Sequence, residues 1–255
     1  MQKKYNWIMR FLVIVFFIAF FSLVIPAFGD LNADVLVDGL NNPWELIFGP
    51  DGEMYFTERD GRIWKIDKSG EAKIIQTFPK SGSIEGGTLG LALHPDFEKN
   101  KKIYVYQTNL ELDFFQNKVY SFRVDDNTLI EKQLIIDDIP GAPWHDGGRI
   151  KFGPDEKLYI TTGDAINPGW SQEISSLAGK ILWINSDGTI PEDNPFDSSP
   201  VFSYGHRNPQ GIAWSNDGML VSSEHGPSGE MGSGHDEINV IVKGKNYGWP
   251  KVVGD

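Results

Sequence analysis

Two clusters of polar side chains carry the chemistry this sequence can offer. The denser one runs from Tyr204 to Asn239. It holds His206, His225 and His235, Arg207 with the amides Asn208 and Gln210, and the carboxylates Glu224, Glu230, Asp236 and Glu237. Arg207-Asn208-x-Gln210 joins a rigid fork of donors to two amides, which suits a planar ligand with several negative charges. An arginine there serves equally well to pin the next loop through backbone carbonyls. Gly226-Pro227 can turn carbonyl oxygens toward a hard cation, with Asp236 and Glu237 nearby in sequence. The spacing is not that of an EF-hand, and simple solvation explains an acidic loop as well. No two histidines have the His-x-x-x-His spacing of a zinc pair.

The second cluster is His145-Asp146-Gly147-Gly148-Arg149, followed at the end of the next strand by Thr162-Gly163-Asp164. A histidine beside a carboxylate is the usual means of holding a general base neutral and aimed. The glycine pair permits close approach of another backbone segment. A histidine that caps a loop and an aspartate that fixes a turn remain the structural alternative.

The elements that must position these residues repeat. Phe48-Gly49-Pro50-Asp51-Gly52, His94-Pro95-Asp96-Phe97, Phe152-Gly153-Pro154-Asp155 and Trp214-Ser215-Asn216-Asp217-Gly218 each lead into a β-branched or aromatic run. Each copy reads as strand, turn, strand. The turn aspartates are 45, 59 and 62 residues apart, close to the size of four short strands. The expectation is an all-β chain, a β-propeller with about four blades, whose unequal spacing places insertions in the connecting loops. A β-sandwich is the plainer alternative. Ile212–Trp214, Asn216-Asp217-Gly218 and Met219–Val221 predict a hairpin that brings both halves of the Tyr204–Asn239 cluster to one end. Ser171–Leu182 is expected to form a short helical turn, weakened by Gly179. Glu85 heads a Gly-Gly stretch that lacks the Gly-Lys-Ser/Thr of a phosphate loop, and it would sit at a blade end facing a central ligand.

The 255 residues contain no Cys, which excludes disulfides, thiolate metal sites and a cysteine nucleophile. A net charge of −12 supplies no basic surface for phosphates, so no nucleic-acid partner is expected. Lys3, Lys4 and Arg10 precede the apolar run Phe11–Ile25, and Ala27-Phe28-Gly29 has the small-x-small form of a cleavage site. Residues 1–29 therefore read as a signal peptide. Their length also approaches what an uncleaved membrane anchor needs, so membrane attachment through this segment is the rival. Either way residues 30–255, the propeller, are expected to be exported, to the periplasm, outside the cell or facing outward from a membrane.

The quoted motifs together resemble the soluble pyrroloquinoline-quinone-dependent sugar dehydrogenases, the glucose/sorbosone and aldose sugar dehydrogenase family. The resemblance runs through NPWELIFGPDGEMYFTERDGRI from Asn42, EGGTLGLALHPDF, HDGGRIKFGPDEKLYITTGD, GHRNPQGIAW and SEHGPSGEMGSGHDEINVIVKGKNYGWP, in the family's order. It implies a six-bladed propeller with the quinone (PQQ) at its centre, oxidising the anomeric hydroxyl of an aldose to a lactone. It implies His145 as general base, Asp164 as the carboxylate orienting it, and Arg207, Asn208 and Gln210 as cofactor-binding residues. Arg207 would also stabilise the developing negative oxygen. Gly226 and Pro227 would hold the Ca²⁺ that polarises the quinone, with Glu237 and Tyr247 at a further calcium site. Glu85 falls where relatives often carry a glutamine near the substrate. The electron acceptor is not specified by these motifs. The family continues for about two further blades, so the chain is expected to be C-terminally incomplete and to bind cofactor weakly or not at all. A non-catalytic exported binding module and a Ca²⁺-dependent lactone hydrolase are the rival functions on such a scaffold.

Overall fold

The computed structural model describes residues 34–228 and 234–254. The expected signal peptide or anchor, residues 1–29, lies outside the described residues. Among the described residues no helix is long and apolar enough to cross a membrane. The chain divides into two units, Met1–Asp38 and Gly39–Asp255, and every strand among the described residues belongs to the second.

Among the described residues fifteen strands form four antiparallel sheets, each a simple up-and-down meander. The first blade is β1 (Pro43–Phe48), β2 (Met54–Glu58), β3 (Arg62–Ile66) and β4 (Ala72–Thr77). The second is β5 (Thr88–Leu93), β6 (Lys102–Glu111), β7 (Phe114–Asp125) and β8 (Thr128–Pro140). The third is β9 (Ile150–Phe152), β10 (Leu158–Thr162), β11 (Lys180–Ile184) and β12 (Val201–Tyr204). The fourth has three strands, β13 (Pro209–Trp214), β14 (Leu220–Glu224) and β15 (Glu237–Ile241).

All four predicted turns join the first strand of a blade to its second. In three of them a backbone bond spans the turn in the same way: Gly49 N to Glu53 O (2.7 Å), Gly153 N to Lys157 O (2.9 Å) and Ser215 N to Met219 O (2.9 Å). The second blade inserts one helical turn, Phe97–Asn100, and closes the larger loop with His94 N to Lys102 O at 3.0 Å.

Because successive side chains on a strand point to opposite faces, each inner sheet has two apolar faces to bury. On β10, Leu158 and Ile160 join the core shared with the second blade, while Tyr159 joins the one shared with the fourth. Strand β6 divides likewise, with Ile103 and Val105 toward the first blade and Tyr104 and Tyr106 toward the third. Three separate cores between successive sheets are the signature of stacked propeller blades and rule out a two-sheet sandwich. The outer faces of the first and last blades differ. Phe48 is 69% exposed and Ile238 75% exposed.

The expected helical turn at Ser171–Leu182 is displaced. A 3₁₀ helix occupies Pro168–Gln172, and Lys180–Leu182 instead begin strand β11. Proline at the first helical position favours the earlier start. The β-branched and aromatic run Ile181–Ile184 pairs with Leu158–Thr161 on β10, and that pairing overrides the weak helical pattern.

Lys180 holds the long loop between β10 and β11. Its side chain is fully buried, and Nζ donates to the carbonyls of Trp170 (2.8 Å), Ser171 (3.2 Å) and Ala178 (2.5 Å). Burial pushes this amine down to about 7 with the charge of Glu173 opposing the shift, and the three carbonyls match the three N–H bonds of an ammonium. Lys180→Met should therefore destabilise the chain by about 3 kcal/mol, because it strands buried acceptors. A urea titration reads this directly, and an unchanged midpoint would show that the loop does not need the cation.

Candidate active site

Strands β9 and β10 form a hairpin whose open end gathers the residues before β9 and after β10. His145 and Asp164 meet there, with Nδ1 of the imidazole 2.7 Å from Asp164 Oδ1. Asp164 is fully buried. Its Oδ1 also accepts Ile166 N (2.9 Å), and its Oδ2 accepts Trp249 Nε1 (2.8 Å). A buried carboxylate so supplied is an acceptor only, so Nδ1 carries the ring proton and Nε2 presents a lone pair. The histidine side chain is 17% exposed, so that lone pair is not sealed off from a ligand.

The backbone around His145 is tightly specified. His145 has φ +63°, a left-handed conformation in which a bulky residue is strained, and its N–H donates to Glu85 Oε2 at 2.9 Å. A Cβ on Gly163 would collide with the carbonyl oxygen of His145, so no other residue fits there. Tyr106 donates its hydroxyl to the carbonyl of Asp146 at 2.7 Å.

The predicted β13–β14 hairpin is present, and its register pairs Pro209 with Glu224. Arg207-Asn208 and Glu224-His225-Gly226 are thereby neighbours. Glu224 accepts from Arg207 N and lies 2.9 Å from His206 Nδ1, while His206 Nε2 lies 2.9 Å from Ser203 Oγ. This is the order of contacts of a serine hydrolase, yet His206 is fully buried beneath Tyr247, 4.6 Å between ring centroids, so it is a packing histidine.

Arg207 is 6% exposed. It donates Nη1 to His225 O at 3.3 Å and stacks its guanidinium 5.5 Å from the centre of the Trp249 ring. Its Nε is buried and has no partner among the described residues. Asn208 turns its Oδ1 toward the protein, accepting Gly147 N (3.1 Å) and Gln210 Nε2 (3.0 Å). The two amides thus brace the glycine pair beside His145.

The remaining sequence candidates lie at the same end of the fourth blade. A Cβ on Gly226 would collide with the carbonyl oxygens of His235 and Gly234, so backbone oxygens crowd this corner. Gly226 N donates to Asp236 Oδ1 at 2.9 Å. Glu237 pairs across the ladder with Glu224, and Glu237, Tyr247, Gly226 and Pro227 line one cleft. The Tyr247 hydroxyl is engaged by Val240 O (2.7 Å) and Val242 N (2.8 Å). Among the described residues no three His, Cys, Asp or Glu side chains cluster as a metal site. Carbonyl oxygens would have to supply the ligands. Glu230 lies outside the described residues.

Two residues went unassigned in the sequence. Trp249 sits in the turn Gly248-Trp249-Pro250, where a buried aromatic is the one available signal. Asp146 follows the histidine and is 1% exposed. Its Oδ1 accepts Asn117 Nδ2 and Ala142 N, each at 3.1 Å, and Oδ2 accepts Ser83 Oγ at 3.2 Å. These bonds tie the loop carrying Glu85 to the loop carrying His145.

The glucose/sorbosone dehydrogenase family model matches residues 40–255. The chain belongs to the glucose/sorbosone dehydrogenase family. An oxidoreductase of Thermus thermophilus described as a glucose dehydrogenase is 44% identical with a TM-score of 0.82, over 87% of this chain and 68% of that one. The PQQ-bound aldose sugar dehydrogenase of Streptomyces coelicolor is 38% identical with a TM-score of 0.79, over 87% of this chain and 66% of that one. Quinoprotein glucose dehydrogenase B of Acinetobacter calcoaceticus is 35% identical over 260 residues, 88% of this chain. The chain spans 53% of the length of that relative.

Burial pushes the Asp146 carboxyl up to about 6, with Glu85 adding to the rise and the bonds from Asn117, Ala142 and Ser83 opposing it. A carboxyl near 3.8 in the unfolded chain and about 6 in the folded one favours folding at low pH. That contribution fades as pH rises through about 6. Asp146→Asn keeps every bond, since the new amide can donate to Ser83. It should flatten the decline in stability between about pH 4 and 7, on the order of 3 kcal/mol. Urea midpoints across that range measure it, and an identical slope in the variant would overturn the assignment.

Proposed function

We propose that this glucose/sorbosone dehydrogenase-family chain is a quinoprotein sugar dehydrogenase that oxidises the anomeric hydroxyl of an aldose to the lactone. The observation that carries the reading is the His145–Asp164 pair. The buried carboxylate fixes the proton on Nδ1 and leaves Nε2 as a base at the exposed edge of the site. In this reading His145 takes the proton of the anomeric hydroxyl at Nε2, and Asp164 stabilises the imidazolium that forms. Pyrroloquinoline quinone, when bound, supplies the two-electron acceptor that no side chain provides.

The residues suit that group. Arg207 is held by Glu224 and Trp249 with a buried Nε in need of an acceptor, as an anionic quinone would provide. Asn208 and Gln210 keep the backbone beside His145 in place and border the same site. Carbonyl oxygens crowded about Gly226, with Pro227 adjacent, are the hard donors Ca²⁺ prefers, and Glu237 and Tyr247 lie in the same cleft. Glu85, bonded to His145 N, would contact the sugar in this reading. Export rests on the N-terminal segment alone. Cleavage after Gly29 in secreted material, read by N-terminal sequencing, would support it, and an intact N-terminus on a cytoplasmic protein would contradict it.

Dye-linked aldose oxidation by the purified chain, with and without quinone and Ca²⁺, tests the proposal. Activity should appear only with both, and His145→Ala should lower it by about 10²–10⁴-fold without changing quinone affinity. A chain that binds quinone and Ca²⁺ yet oxidises no aldose contradicts the proposal and leaves a non-catalytic binding module. Lactone hydrolysis without quinone would point instead to the hydrolase.

A further inference from the structure

Trp249 reaches the site from beyond the last strand of the fourth blade, 85 residues from Asp164 in sequence. It is 6% exposed and is anchored through its own backbone, N to Gly205 O at 2.9 Å and O accepting Gln172 Nε2 at 2.6 Å. Gly205 is held in turn by Ser171, whose carbonyl accepts Gly205 N at 2.8 Å and whose hydroxyl donates to His206 O at 2.7 Å. The indole is therefore fixed before any ligand arrives.

From that position it makes two different contacts with two different ends of the site. Its Nε1–H is the donor to Asp164 Oδ2, at 2.8 Å. Its ring face carries the Arg207 guanidinium, 5.5 Å from the centroid. If Oδ2 lost that donor, a buried carboxylate oxygen would be unsatisfied. The carboxylate could then rotate away from His145 to seek another. If the ring were lost, Arg207 would keep only its 3.3 Å bond to His225 O on the side chain. No other side chain in the described residues touches both Asp164 and Arg207 in these ways.

We infer that Trp249 is a positioning residue that sets the orientation of Asp164, and through it the tautomer of His145, while its ring face holds Arg207 toward the anion-binding side of the site. The Arg207 arm rests on the quinoprotein reading; the Asp164 arm does not. The indole is thus one rigid link between the proton-accepting and anion-binding halves, which belong to the third and fourth blades.

Two variants separate the arms. Trp249→Phe keeps an aromatic face and removes the donor. Imidazole ¹⁵N spectra of the unloaded variant should show His145 losing the single Nδ1–H form, and the dye-linked rate should fall ~10-fold with quinone affinity unchanged. Trp249→Gln keeps a donor and removes the ring. It should leave the His145 tautomer unchanged and weaken quinone binding ~5-fold, within the range of a partly buried cation–π contact. A Trp249→Phe spectrum identical to that of the parent overturns the Asp164 arm, and unchanged quinone affinity in Trp249→Gln overturns the Arg207 arm. The spectra need no cofactor, so a parent that never binds quinone sinks the functional reading for this chain as it stands and leaves the Asp164 arm decided on its own evidence. Should the variants not fold, exchange of the Trp249 indole proton in the parent decides the matter. Slow exchange supports the bond, and exchange as fast as that of an exposed indole overturns it.

Discussion

Asp164 is an anion cut off from water, and the arrangement of the site follows from the need to satisfy it. A buried carboxylate is tolerated only when hydrogen bonds replace its hydration. Three donors from three directions do this: His145 Nδ1, Ile166 N and Trp249 Nε1. Its own backbone N–H is given to the carbonyl of Arg207 at 2.7 Å, which couples the third blade to the fourth. Each partner can be in place only if the stretch carrying it is in place, so one charge fixes three stretches of chain.

The propeller makes that arrangement stable. Alternating strands bury an apolar core on each side of the inner blades, so loops at the blade ends are anchored to a framework that does not shift. Lys180 and Asp146 do for two of those loops what Asp164 does for the site. Each is a buried ionisable group whose partners come from segments outside its own strand. Asn208 adds a cross-brace between Gly147 and Gln210 while Glu85 accepts His145 N, so the left-handed backbone at His145 is held from two sides.

Much of this was legible from residue order. The four Pro-Asp and Asn-Asp turns fall between the first and second strands of successive blades, because each turn type needs those residues at those places. The hairpin rule brought Arg207 to Glu224, and the β9–β10 hairpin does the same for His145 and Asp164. The outer strands β4, β8 and β12 were harder to read, since strands such as Thr128–Pro140 alternate weakly and carry many exposed polar residues. The 3₁₀ helix at Pro168–Gln172 was misplaced by a few residues because a weak helical pattern overlapped a strand decided by pairing. Trp249 was not legible at all as a site residue, and Asp146 was read only as the neighbour of His145. Their partners lie 85 residues away and in three separate segments, and nothing local records such contacts.

In the proposed reaction Asp164 controls which nitrogen of His145 is the base. Asp164→Asn replaces one accepting oxygen by an amide N–H among three donors, and turned toward Nδ1 that N–H would move the ring proton to Nε2. Aldose oxidation by this variant, loaded with quinone and Ca²⁺ as for the parent, is the most direct measurement. The prediction is a rate lower than the parent's by up to about 10⁴-fold with quinone affinity retained, the size of effect a wrong tautomer has in another His–Asp enzyme. A variant that binds quinone normally and turns over at the parent's rate would contradict it, and His145 would then owe nothing to its carboxylate.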